Sequence, residues 1–379
     1  MKKTLVAIAA LASVTAFAQV TITGTFDTGY QALDYKGVKV IGFAHNGANT
    51  SGIAFNVTED LGGGLKAVGK LGNDFNPTST NANIGAKNAD GTWANAGTFA
   101  GSEIFGGLTG GFGELRMGVV NNNSLTSYGV GQPFGTAIGS AFRGLFAADD
   151  TIGSSSVRQE NSFKYQTPAM SGFTGVIYKS NKQTKAVVSN YSTTFGNYDI
   201  KGTQELAVNY ANGPLNASYT SQVQDSQDVG SSAVAVFATG TSVTTYTTTA
   251  GTTDNALKTA AANYTMGPWT FYALNQTNGK SDQTNKRSAT MFSAKYVMGV
   301  HTFLVGTASA KASSGTYNGK TSTMTSLGYE YALSKNSNIY GRYESINDQA
   351  VMLTQPTQLT AVTGNNTRTR TGFGLKIGF

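Results

Sequence analysis

From Gln19 onward the chain is written in period two: β-branched and aromatic residues hold one parity, small or polar residues hold the other, and helical spacing is nearly absent. Val20, Ile22 and Phe26 open the pattern. Ile53, Phe55 and Val57 continue it, then Leu115, Met117 and Val119, then Leu206, Val208 and Tyr210. Leu327, Tyr329 and Tyr331 carry it on, and Phe373, Leu375, Ile377 and Phe379 complete it. Charge keeps to the other face, at Lys66, Lys70, Glu114, Arg116, Glu160, Lys164, Glu330, Arg370 and Lys376.

The connections alternate in length. Short Gly/Pro turns fall at 61–64, 110–111, 168–172, 212–214, 267–268, 299 and 334–337. Between them lie strand, long polar segment and strand again; the long segments, such as Asn73 to Gly97, Asn121 to Val157, Ser180 to Lys201 and Asp225 to Asn255, are rich in Asn, Ser, Thr and Gly. Seven short turns and two free ends define eight hairpins with long loops, hence sixteen strands. An even count of antiparallel strands suits a bacterial membrane barrel. Tyr165, Phe173, Tyr210, Tyr264, Trp269, Tyr296 and Phe303 all stand beside short turns. Rings repeated at one end of successive strands read as the girdle of a membrane–water boundary.

This architecture accounts for a composition that fits a soluble fold poorly. Only 39% of the residues are hydrophobic and 12% charged, whereas a soluble chain of this length needs a large apolar core under a charged surface. A strand that shows one parity to lipid and the other to water needs apolar residues at only half its positions. With 11% aromatics the chain is not disordered. It has no Cys, and His45 and His301 are its only histidines. There is thus no disulfide framework, thiolate nucleophile or cysteine metal site, and most zinc sites and triads are excluded. No cofactor is implied.

Residues 1–18 read as a signal peptide removed from the mature chain. Lys2 and Lys3 precede an apolar run from Leu5 to Ala12, and Ala16-Phe17-Ala18 supplies a small-residue cleavage site. The run is too short to span a bilayer. The rest, 19–379, is one barrel domain with 25 basic and 20 acidic side chains, an excess of five. That excess is far from a nucleic-acid-binding arm.

Three stretches and the terminus carry a family resemblance. The stretch from Val20 to Asp27, that from Thr58 to Ala67 with its Gly62-Gly63-Gly64 turn, and that from Gly110 to Gly118 resemble the general porins of Gram-negative outer membranes, most closely their β-proteobacterial branch. The chain also ends on alternating hydrophobics with Phe379, similar to the pattern the outer-membrane assembly machinery recognises. The resemblance covers essentially the whole mature chain. It implies an all-β fold, a transmembrane antiparallel 16-stranded β-barrel whose third loop, here about 121–157, folds into the lumen. It implies a homotrimer in contact with outer-membrane lipid and lipopolysaccharide, each barrel passing small hydrophilic solutes and ions. Gln132-Pro133-Phe134-Gly135 is similar to the bend of such loops. One departure stands out: Ala54, Asn56 and Thr58 occupy lumen parity where relatives commonly carry a basic residue, which dilutes an anion-selective cluster.

A pore selects by size and field. By parity Lys66, Lys70, Arg116, Arg158, Lys164, Arg368, Arg370 and Lys376 project inward. Arg116, Arg158, Arg370 and then Lys66 are the expected selectivity residues, with Asp149 and Asp150 of the third loop opposite them and Arg143 on either side. Each has a plainer alternative as a solvated lumen charge. Gly62-Gly63-Gly64 lacks the Lys-Ser/Thr of a phosphate loop. Glu59 and Asp60 read as a solvated edge beside a turn. Asp225, Asp228 and Asp254 read as loop-surface carboxylates or a weak divalent-ion contact. The competing functions are a substrate-selective channel, a barrel hydrolase and an adhesin; a hydrolase needs a nucleophile beside a His, and His301 sits next to a short turn.

Overall fold

The computed structural model describes residues 18–35, 38–78, 101–140, 145–146, 157–181, 183–188, 194–200, 202–224, 227–229, 232–234, 249–252, 255–280, 286–315, 317–349 and 367–379. Seventeen strands form one antiparallel sheet: β1 (Gln19–Tyr35), β2 (Val38–His45), β3 (Gly52–Gly62), β4 (Leu65–Asp74), β5 (Ile104–Gly110), β6 (Gly113–Asn121), β7 (Arg158–Gln166), β8 (Phe173–Ser180), β11 (Thr203–Asn212), β12 (Leu215–Gln224), β16 (Asn255–Met266), β17 (Trp269–Lys280), β18 (Arg287–Met298), β19 (His301–Ala312), β20 (Thr321–Ala332), β21 (Ser337–Asn347) and β22 (Thr367–Gly378). The sheet closes where β1 pairs β22 from Thr25↔Gly378 to Tyr35↔Arg368.

The seventeen segments make sixteen staves. The upper half of β1 pairs β2, Thr28↔His45 to Tyr35↔Val38, while its lower half pairs β3, Gln19↔Thr58 to Thr25↔Gly52. Thus β2 and β3 are one stave interrupted at residues 46–51. All seven short turns join adjacent antiparallel strands. The long connections carry structure of their own. β9 (Gln183–Val188), β10 (Thr194–Ile200) and β14 (Ser232–Val234) make a three-stranded sheet, and β13 (Gln227–Val229) pairs β15 (Thr249–Thr252).

Closure leaves the wall without a free sheet edge along its lower part, the condition for crossing a bilayer; above the interruption β2 pairs with β1 on one side, and β1 is its one partner among the described strands. The two faces then divide by parity. Phe43, Leu206, Phe292 and Phe373 are exposed outward by 60% or more. Ser218, Thr220, Thr259, Ser322 and Ser326 are buried on the inner face. An outer wall so apolar is a lipid contact. Its aromatic rings cluster at the short-turn end: Phe173 lies 4.6 Å from Tyr210, Trp269 4.5 Å from Tyr296, and Phe303 5.3 Å from Tyr329, centroid to centroid.

Candidate pore constriction

After β6 the chain leaves the wall, forms α1 (Asn123–Gly131), and runs along the inner parity of the barrel. Asn122 caps the helix, its Oδ1 accepting from Leu125 N. The carboxylate of Glu205 on β11, fully buried, accepts from Asn123 N at 2.6 Å, Ser124 N at 3.2 Å and the Ser124 hydroxyl. A carboxylate on the unpaired N–H groups of a helix start is held by hydrogen bonds and by the helix dipole together. Gln222 donates to the same carboxylate at 2.9 Å. Asn123 and Ser127 bond the Ser218 and Thr220 hydroxyls of β12. One turn on, Gln276 Nε2 donates to the Tyr128 hydroxyl, whose pKa is pushed up by burial above all and further by Glu205, so the phenol stays neutral. At the helix end a Cβ on Gly131 would stand 2.8 Å from Leu274, so only glycine allows this approach.

Beyond the helix Gln132 ties its own bend: its Oε1 accepts from Phe134 N, and its Nε2 donates to Gly135 O at 2.6 Å, with Gly135 at φ 61°. Phe134 is wholly buried, its ring 5.5 Å from the Arg342 guanidinium. The loop then reaches β20 and β21, where Gly139 N donates to Glu344 at 3.0 Å and Gly139 O accepts from Ser326 at 2.8 Å. Leu145 and Phe146 join Tyr128, Phe134, Leu274, Met291 and Leu304 in a buried apolar cluster. The segment thus lines the inner wall from β11 round to β21.

Two clusters of charge flank it. On β22, Arg370 grips Glu344 with two hydrogen bonds, 2.9 and 2.6 Å, and Arg368 reaches the same carboxylate at 2.7 Å. On the wall from β4 to β7, the buried Glu103 carboxylate meets Lys70 at 3.1 Å and Arg116 at 3.7 Å. Arg116 also pairs with Glu114 and lies 4.5 Å over the Phe105 ring. Lys164 stands opposite Arg116 in the register, without an ion pair among the described residues. Near the short-turn rim, Arg342 pairs with Glu330, and Lys376 lies 3.8 Å from it.

The sequence-predicted residues separate. Arg116 and Arg370 take inner parity in the two clusters. Lys66, paired with Asp60 next to the Gly62-Gly63-Gly64 turn, is exposed at the rim and not at mid-barrel. Arg158 breaks the parity assigned to it. Asn161 adopts φ 53°, and the register slips between Gly118↔Ser162 and Val120↔Gln159. This bulge turns Gln159 inward with Ser162 and Lys164, and puts Arg158 opposite Asn121. The Arg158 guanidinium instead lies 3.7 Å from Asp74 and 3.4 Å from Gly101 O. Arg143, Asp149 and Asp150 lie outside the described residues. Sequence reasoning passed over the loop's anchors, Glu205 and Glu344, and Asp27; their one signal is a lone acid on inner parity in a strand otherwise poor in charge.

A closed, sixteen-stave antiparallel barrel with an apolar outer belt and a charged, loop-lined interior defines a β-barrel protein of a membrane. A family profile described as Gram-negative porin matches residues 4–350, and the chain belongs to that family, an outer-membrane β-barrel family. Outer membrane porin protein 32 of Delftia acidovorans is 34% identical over 233 residues, 58% of either chain. An outer membrane porin protein of Bordetella pertussis is 31% identical over 240 residues, again 58% of each. The chain spans a little over half the length of these curated relatives. In fold it is similar to an anion-selective porin from Comamonas acidovorans, TM-score 0.68 at 24% identity, over 96% of this chain and 100% of that one. It is also similar to OmpT of Vibrio cholerae in its trimer form, TM-score 0.60 at 15% identity, over 96% and 99%.

Proposed function

We propose that the barrel is a water-filled channel for passive diffusion of small hydrophilic solutes and ions across the outer membrane, with a modest preference for anions. One observation carries the sign of that preference. In the two clusters that flank the third loop the acid lies beneath its cations: the Glu103 side chain is 5% exposed under Lys70 at 28% and Arg116 at 32%, and the Glu344 side chain is 0% exposed under Arg368 at 15% and Arg370 at 21%. Toward the short-turn rim the order is mixed, Glu330 standing between a buried Arg342 and a more exposed Lys376. The lumen water therefore meets guanidinium and ammonium groups first, and the low-dielectric wall focuses their field. Lys164 adds a further cation to the first cluster. The neutral stretch Ala54, Asn56 and Thr58 keeps the field moderate.

Family membership points to channels rather than enzymes, and we read the lumen charges as steering ions with no bond chemistry. The signal peptide, the homotrimer, the lipid and lipopolysaccharide contacts and the role of Phe379 in assembly belong to the same reading. Purified protein in a planar bilayer tests it. Ohmic current arriving in triplet steps is expected, with a reversal potential on the anion side in a potassium chloride gradient. A sealed barrel, or a cation-side potential, would overturn the respective half of the reading.

A further inference from the structure

The interruption of the second stave is held by one side chain. Asp27 on β1 is completely buried, and its carboxylate accepts from Gly47 N at 3.3 Å, Ala48 N at 2.7 Å, Asn49 N at 2.5 Å and the Tyr340 hydroxyl at 2.6 Å. Successive N–H groups converging on an anion form a nest, a geometry that a neutral side chain fills poorly. The Ser51 hydroxyl donates to Asp27 O and accepts from Asp27 N, and Asn46, at φ 59°, accepts from Ser51 N. Gly47 is pressed against Tyr340, where a Cβ would lie 2.3 Å from the phenol oxygen. No cation lies within ion-pair distance of Asp27 among the described residues. The charge is satisfied by the turn's N–H groups together with the Tyr340 hydroxyl.

That turn touches the third loop at its tip. Ile138 N donates to Gly47 O at 3.3 Å, and the Thr50 and Thr136 hydroxyls are 3.0 Å apart. The tip is thereby gripped from both sides, by residues 46–51 on one and by Glu344 and Ser326 on the other. The stave break is an inward-facing clamp as well as a gap in the wall.

We propose that Asp27 is a positioning residue of the constriction: by folding residues 46–51 into the lumen, it clamps the third-loop tip and keeps the pore steadily open. This rests on the channel reading above, and its failure is separable from that one. Parent channels that pass no current would defeat the channel reading, whereas conducting parents with unaltered variants would defeat only the clamp. In Asp27→Asn, an NH2 group faces the N–H donors in place of one carboxylate oxygen. Brief closures and open-channel noise should rise about tenfold or more in frequency, because a charge-assisted contact is lost, with the yield of folded barrel unchanged. Thr50→Ala touches only the turn–loop contact and should raise the noise in the same way. It decides the matter should Asp27→Asn fold poorly.

A rescue experiment separates clamping from general loosening of the barrel. The chain has no cysteine, so Thr50→Cys with Thr136→Cys in the Asp27→Asn background gives a single bridge. Oxidation should restore a quiet current, and reduction should bring the noise back. Parent-like steadiness in the variants, or noise that persists with the bridge closed, would overturn the proposal.

Discussion

Replacing Glu205 with Gln tests whether one buried acid docks the third loop. The substitution keeps the volume and one acceptor oxygen, but turns an NH2 group toward the N-terminal N–H groups of α1. The carboxylate accepts from two backbone N–H groups, the Ser124 hydroxyl and Gln222. A hydrogen bond to a charged group contributes about 1.5–3 kcal/mol, and a helix-start carboxylate up to ~2 kcal/mol when partly buried. These overlap, because the same N–H groups serve both. A net loss of about 2–3 kcal/mol is therefore expected, partly offset by the Asn123 and Ser127 contacts that remain. At about 1.4 kcal/mol per tenfold, opening of the helix becomes roughly 30- to 150-fold more frequent. Amide hydrogen exchange read by mass spectrometry follows this on peptides spanning residues 122–131, with strand peptides of β16–β19 as internal reference. Unchanged protection of the helix would refute the docking role. Equal loss across the strands would show that Glu205 supports the whole barrel instead.

The lumen charges, the loop packing and the terminus are open to the same kind of test. Arg370→Gln leaves Glu344 with Arg368 alone, so the reversal potential in a salt gradient should move toward cations; a potential equal to the parent's would remove Arg370 from the selectivity set. Lys164→Gln should move it the same way, since it removes a cation beside Arg116 on the inner face, whereas Arg158→Gln should have a smaller effect because the bulge takes that side chain off the inner parity, to Asp74 and Gly101. Gly131→Ala places a methyl 2.8 Å from Leu274 and should cost about 1–3 kcal/mol of loop packing, visible as faster exchange in α1 with the barrel intact. Deleting Phe379, whose backbone exchanges hydrogen bonds with Gly24 at 2.9 and 3.1 Å, should lower the amount of heat-modifiable folded protein while export continues; undiminished yield would sink that idea.

The barrel was legible because a membrane wall has few degrees of freedom. Alternation fixes which residues face lipid, as with Phe373 and Leu206, and Gly/Pro turns fix where strands reverse. The stave interruption was not: Ile53 to Val57 alternates like any other strand, Val38 to Phe43 is a short apolar run with Val40 and Ile41 adjacent, and nothing local says that both pair with one long β1. Arg158 escaped for a related reason: parity counted along β7 assumes no inserted residue, and the bulge at Asn161 inserts one. The anchors Glu205, Glu344 and Asp27 are the harder case. Their partners are largely backbone N–H groups of distant loop segments, which leave no mark in the sequence, so a docking acid looks the same as a solvated lumen charge.

The path of the third loop splits the circumference into two kinds of real estate. Staves β11, β12 and β16–β19 are the foundation on which it rests: their inner faces are mainly small, polar or aliphatic, and the loop covers much of them. The ion-pair clusters stand on β4–β7 and on β20–β22. Selectivity can therefore be retuned on the first of those sectors, at Lys70, Arg116 or Lys164, without touching the loop's anchors, whereas on β20–β22 Glu344 holds both its arginines and Gly139 N, so charge and loop position are coupled there. A change on the foundation side acts first on the aperture, and only through it on charge.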